Sequence, residues 1–297
     1  MGATDRLDLA QIALMVVAGL LAWALPFGLV VLAYVLLGPA HYLTQLRWMH
    51  ARGYGVGAQW LLGVYAGLTL LALAVPFGWG VVPLALALGV SLALVWAPAG
   101  KARAAALGVA VAAALGATAQ WAPDGAAWLA LLVPTLVHVS LFTGIFLWRG
   151  AHTNRRPLGY VAVAIFVVVP IVLLLVPPAQ DQVPTFWDGK IAPWAPLAVL
   201  FEPLSTTPGL AAGYAVVSFA YLYHYLNWFS KTGLIGWHKG LRPGELWALV
   251  AAYLTAVGLY WVDLRLGFAM LLALSYLHVV AEFPLNIRAL GVAPRHG

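Results

Sequence analysis

Apolar runs long enough to cross a bilayer recur from end to end of the chain, separated by short polar or Pro/Gly-rich stretches. A membrane helix needs about 20 predominantly apolar residues. On that measure the sequence predicts ten spans, at 9–25, 29–49, 56–75, 79–96, 102–121, 126–148, 158–176, 209–229, 245–261 and 266–285. Pro26-Phe27-Gly28 and Pro76-Phe77-Gly78 read as turns, and Gly38-Pro39 as an interruption of the second span. The echo of Ala-Leu-Pro-Phe-Gly by Ala-Val-Pro-Phe-Gly is a weak sign of an internal repeat. The fifth span is rich in Ala and Gly, which permits close helix approach. Residues 177–208 form the longest stretch that does not span, with 192–201 as a short interfacial or re-entrant helix. The fold class expected is all-α: a polytopic integral membrane helical bundle, with residues 1–297 as a single transmembrane domain.

Charge fixes an orientation for this count. With the N-terminus inside, every Lys and Arg except Lys190 and Arg265 falls on a cytoplasmic segment, out of 15 in all. That asymmetry is the positive-inside rule, and it puts both chain ends in the cytoplasm. The localisation expected is multi-pass in a bacterial-type inner or plasma membrane. Trp48, Trp79, Trp96, Trp121, Trp148 and Trp261 sit at span ends, as an interfacial aromatic belt requires. Asp263 and Arg265 read as a surface pair at the last outer turn.

Composition narrows the chemistry. The chain is 64% hydrophobic and 8% charged, with a mean hydropathy of +0.94. It has no cysteine, which removes disulfides, thiolate metal sites and cysteine nucleophiles. The net charge of +6 reflects topology, and no basic patch with interleaved aromatics exists to bind nucleic acid. There is no Gly-rich phosphate loop, nucleophile elbow or His-Glu-x-x-His motif.

Within this apolar background the stretch 219–238, FAYLYHYLNWFSKTGLIGWH, carries groups that hydrocarbon excludes. It belongs to a wider pattern. His41, His138, His224 and His278 lie in the second, sixth, eighth and tenth spans, all running from outside to inside. Each precedes the cytoplasmic end of its span by roughly 9–15 Å at about 1.5 Å per residue, so the four share one layer. Polar neighbours follow at helical spacing: Gln45 after His41, Asn227 after His224, and Glu282 after His278, with Ser275 one turn before it. Ser140 and Thr143 lie near His138. Pro39, Pro134 and Pro284 break the backbone close to these positions. The inner loops add His50, His152 and His238 as further metal candidates.

Neutral imidazole is the commonest protein metal ligand and suits iron, copper and zinc. Four histidines with one carboxylate and no thiolate favour iron. The expected function is a metal-dependent oxidoreductase of oxygenase or desaturase type, acting on a lipid-soluble small molecule in the cytoplasmic half of the bilayer. His41, His138, His224 and His278 would ligate, Glu282 would ligate or accept a hydrogen bond from a ligand, and Glu282, Asn227, Tyr221 and Tyr225 would form the reaction site. With His50, His152 and His238 the site could hold two irons, and a redox partner would dock on the cytoplasmic side. The chain lacks the closely spaced histidine boxes of membrane di-iron desaturases and hydroxylases. In style it is similar to membrane carotenoid-cleaving dioxygenases, which place four helix-borne histidines on one iron, a likeness of architecture without a shared motif. Two alternatives stand beside this. Histidines at one depth can clamp haem b in a quinone-linked electron-transfer subunit. Broken helices with His, Glu282 and Asp263 can also serve as the proton relay of a transporter, or the chain can be a lipid-binding membrane protein.

Overall fold

The computed structural model describes residues 2–52, 67–68, 71, 81–96, 106, 108–111, 113–114, 117, 133–176 and 207–289. Among the described residues every element is a helix. The helices are α1 (Ala3–Ala24), α2 (Pro26–Ala51), α3 (Val81–Trp96), α4 (Val133–Leu136, Val137–Phe142 and Thr143–Thr153 in succession), α5 (Pro157–Leu175), α6 (Thr207–Ile235), α7 (Pro243–Val262) and α8 (Leu264–Ala289). Five segments are long and apolar enough to cross a membrane: Thr4–Ala24, Pro26–Ala51, Pro157–Leu175, Pro243–Val262 and Met270–Ile287. The expected spans at 56–75 and 102–121, the second Pro-Phe-Gly stretch and the segment 177–208 lie largely or wholly outside the described residues.

Proline chemistry explains where the helices start and bend. The residue before a proline is pushed out of the helical region. Leu25 accordingly adopts φ −136°, ψ 61°, and α1 ends at Ala24. Pro26 then occupies the first position of α2, where its missing N–H costs nothing. Pro26-Phe27-Gly28 is therefore a helix start and not a turn. Nor does Gly38-Pro39 interrupt α2. Pro39 cannot donate to the carbonyl four residues back, and the helix absorbs the defect by widening. Ala33–Leu37 form a π-helical turn in which the Gly38 N–H reaches the carbonyl of Ala33. A second π turn, Val137–Phe142, follows Pro134 in α4. The Asp263 carboxylate accepts from the Leu266 N–H at 2.9 Å and caps α8; the side chain of Arg265, its expected surface partner, lies outside the described residues.

The chain divides into two compact units. The first comprises Met1–His41 and Val139–Phe268. In it α1 packs on α5 and α6, the start of α2 on α6, and α4 on α5. Small residues set the approach of these helices. A Cβ on Gly19 would come within 2.8 Å of Val169, and one on Gly144 within 2.9 Å of Phe166. A polar chain links α1, α6 and the turn between α4 and α5. Asp8 pairs with Arg156 at 3.0 Å, Tyr223 donates to Gln11 Oε1 at 3.0 Å, and Gln11 Nε2 donates to Ser230 at 2.9 Å. Lys231, past the end of its predicted span, stands in the field of Asp8 and Arg156. Burial lowers its pKa to about 8, with Arg156 adding to the shift and Asp8 opposing it.

The second unit comprises Tyr42–His138 and Ala269–Gly297. Its core joins Met49 of α2, Ala85, Ala87 and Leu88 of α3, and Tyr276, Val280 and Ala281 of α8. The predicted close approach of the Gly/Ala-rich segment is present. A Cβ on Gly89 would lie 2.6 Å from the carbonyl oxygen of Gly108.

Candidate metal centre

The four histidines expected to act together are all buried, with exposures of 0% (His41), 1% (His138), 8% (His224) and 1% (His278). Such burial asks each imidazole to find a partner.

In the first unit the Nε2 atoms of His41 and His224 stand 3.1 Å apart. Their rings cross edge to face, with centroids 4.8 Å apart. His224 Nδ1 lies 3.1 Å from the hydroxyl of Thr143, on the turn of α4 just past the π segment. That contact orients the ring and leaves Nε2 to face His41. Aromatic side chains of α6 enclose His41: Tyr225 at 5.1 Å, Trp228 at 5.6 Å and Phe229 at 6.5 Å between centroids.

In the second unit His138 and His278 meet edge to face at 4.7 Å between centroids. His278 Nδ1 lies 3.2 Å from the carbonyl oxygen of Ser275, one turn back on α8. A carbonyl can only accept, so Nδ1 carries a proton, and in the neutral ring Nε2 presents its lone pair. Glu282, one turn further on, places Oε2 3.3 Å from His138 Nε2 and 3.5 Å from His278 Nε2. The ring of Tyr42 stacks on His278 at 4.9 Å.

Ligand nitrogens of His41, His138, His224 and His278 all lie within 4.8 Å of one another, and the four can hold a metal ion.

The other residues singled out in the sequence fall around this set or away from it. Tyr225 touches both His41 and His224, and Tyr221 packs on Tyr225 at 5.9 Å and on Tyr34 at 6.0 Å. Among the described residues, Asn227 Oδ1 and Gln45 Oε1 are buried and have no hydrogen-bond partner. Glu282 faces histidines and not bulk solvent. The loop histidines behave differently. His50, His152 and His238 are exposed, and the metal-competent group among the described residues contains none of them. His152 contacts the Tyr160 hydroxyl at 3.1 Å and stacks on Trp148. His238 lies in a turn between Gly236 and Gly240, whose φ values of 65° and 72° suit glycine.

Three features escaped the sequence reading: the stacking of Tyr42, the bond from Thr143 to His224 rather than to its near neighbour His138, and the two π turns. The last had a signal. Pro39 and Pro134 each stand within a turn of a histidine, and single π turns occur often at functional sites.

Comparison of the chain with protein-family models, with curated proteins and with solved structures finds no match.

Proposed function

We propose that this protein is a multi-pass membrane metal enzyme, an oxidoreductase that holds iron on His41, His138, His224 and His278 and acts with dioxygen on a lipid-soluble substrate. The observation that carries the reading is the burial of four imidazoles whose nitrogens lie within 4.8 Å of one another. Scattered structural histidines have no reason to converge in this way. All-imidazole coordination suits iron, copper and zinc alike. The carboxylate of Glu282 beside it, the absence of thiolates and the apolar surroundings favour iron. Bound iron would supply the redox chemistry. The chain's own part is to fix the imidazoles through Thr143 and Ser275, and to keep water out with Tyr225, Trp228 and Phe229.

The setting supports a lipid-soluble substrate: His41 and His278 stand on helices of membrane-spanning length and apolarity. The cytoplasmic redox partner follows from the placement of the histidines toward the inner ends of their spans. A haem clamped by His41 and His224 fits poorly. Axial nitrogens on opposite faces of one iron stand about 4 Å apart, against 3.1 Å here.

Elemental analysis and an optical spectrum of the purified protein test this reading. Stoichiometric iron without a Soret band is the expected result. A Soret band returns the site to haem. Absence of any transition metal, together with pH-dependent uptake into vesicles, returns the chain to the transporters.

A further inference from the structure

We propose that Glu282, whose carboxylate stands beside His138 and His278 but outside the four-histidine group of mutually close donors, closes on the bound metal as a fifth protein ligand and leaves one coordination position for a small exogenous molecule; the inference rests on the metal-site reading above and deepens it.

The position of the carboxylate argues for a ligand and against a mere orienting partner. A carboxylate that only orients a ligating histidine bonds the ring nitrogen turned away from the metal. At His278, Glu282 does the opposite. Its Oε2 faces the Nε2 atoms of both His138 and His278, at 3.3 and 3.5 Å. The outward nitrogen of His278, Nδ1, is already engaged with the Ser275 carbonyl. Donors about 2.1 Å from one ion stand about 3.0 Å apart at right angles and about 3.4 Å apart in a tetrahedron. The separations 3.1, 3.3 and 3.5 Å are all ligand-to-ligand distances on that scale.

Electrostatics points the same way. With its proton on Nδ1, His278 turns an Nε2 lone pair toward a carboxylate oxygen. Two electron-rich atoms facing each other in a buried site repel unless a cation lies between them. Among the described residues, Oε2 of Glu282 is buried and makes no hydrogen bond. The competing arrangement is an imidazolium–carboxylate pair, in which a proton replaces the metal. The two differ in what a metal does on arrival: it binds to the carboxylate in the first case and only displaces its partner in the second.

Four imidazoles and one carboxylate leave a divalent ion with a single net positive charge. On a six-coordinate ion one position stays open, enough for dioxygen, nitric oxide or azide. A substrate that chelates through two atoms would not fit, so the substrate reacts from beside the metal and not on it.

Cobalt(II) added to the metal-free, full-length protein in detergent tests the assignment, because its visible bands are several-fold stronger with four ligands than with five or six. The wild-type protein should take up one cobalt with weak bands, and azide should shift them. Glu282→Gln should bind cobalt at least about 100-fold more weakly, beyond the usual range for loss of an orienting partner, and its bands should intensify. Difference infrared spectra of the wild-type protein with and without cobalt need no variant, and a carboxylate band should shift. Wild-type affinity and unchanged bands in Glu282→Gln, or no carboxylate shift, would overturn the ligand role while leaving the four-histidine site standing. A folded wild-type protein that takes up no cobalt would remove the metal site itself.

Discussion

The hydroxyl of Ser91 on α3 donates to the carbonyl of Val280 on α8, the group that Pro284 leaves without a helical donor. A proline removes the N–H that would serve the carbonyl four residues back. In hydrocarbon no water can substitute, so a side chain from a neighbouring helix must. Ser91 is fully buried and sits in the same packed layer as Ala87, Leu88, Val280 and Ala281. Pro284 stands two residues after Glu282 in α8.

Ser91→Ala should therefore destabilise the protein by about 1–3 kcal/mol, the usual effect of leaving a buried acceptor unmet. Thermal unfolding in one fixed detergent checks this. The double change Ser91→Ala with Pro284→Ala should recover most of the loss, because residue 284 then supplies its own N–H. An undiminished midpoint in the single variant would show that the bond carries nothing.

Thr143 offers a test of the imidazole geometry that leaves every ligand in place. Its hydroxyl holds His224 by Nδ1 at 3.1 Å. Thr143→Val keeps the shape and removes the hydrogen bond. Metal affinity should fall about 10–100-fold with little change in helical content. Titration of the metal-free protein, followed by circular dichroism on the same sample, reads both quantities. Thr143→Ser should restore most of the affinity.

How much of this could be read before the structure differs from feature to feature. The helical, membrane-spanning character of α1, α2, α5, α7 and α8 is written in run length and apolarity, and the structure agrees to within a few residues at most ends. The convergence of His41, His138, His224 and His278 was legible for a related reason. Spans alternate in direction, so distance from a span end converts to depth. What failed was the reading of proline as punctuation. Pro26 opens a helix and Pro39 is carried through one, because an absent N–H is harmless at the first position and a π turn can absorb it inside. The partner of Thr143 was out of reach. A π turn adds a residue to the helical cycle, so the side chains beyond it face directions that ordinary 3.6-residue spacing does not give.

Lys231 gives the chain a pH signature. Its pKa stands at about 8 in the folded protein against the ordinary value of 10.5. Between those two values the unfolded chain binds a proton at Lys231 that the folded chain does not. Stability should therefore rise as pH increases from about 8 to 10.5, and level off above that window as far as this group is concerned. Lys231→Met should remove that rise and be the more stable form near pH 7, where the wild type keeps a buried charge beside Arg156. Unfolding midpoints measured across the window in both proteins check the sign. A wild-type midpoint that falls faster with pH than the variant's would contradict it.

The central claim is that four imidazoles grip one metal ion. Iron content per chain, measured on wild type and on each of His41→Ala, His138→Ala, His224→Ala and His278→Ala after confirming helical content, tests it most directly. One iron per wild-type chain, lost in every one of the four variants and kept in His152→Ala, is the result predicted. Full iron retained in two or more of the four, or no metal in a folded wild-type protein, would contradict it.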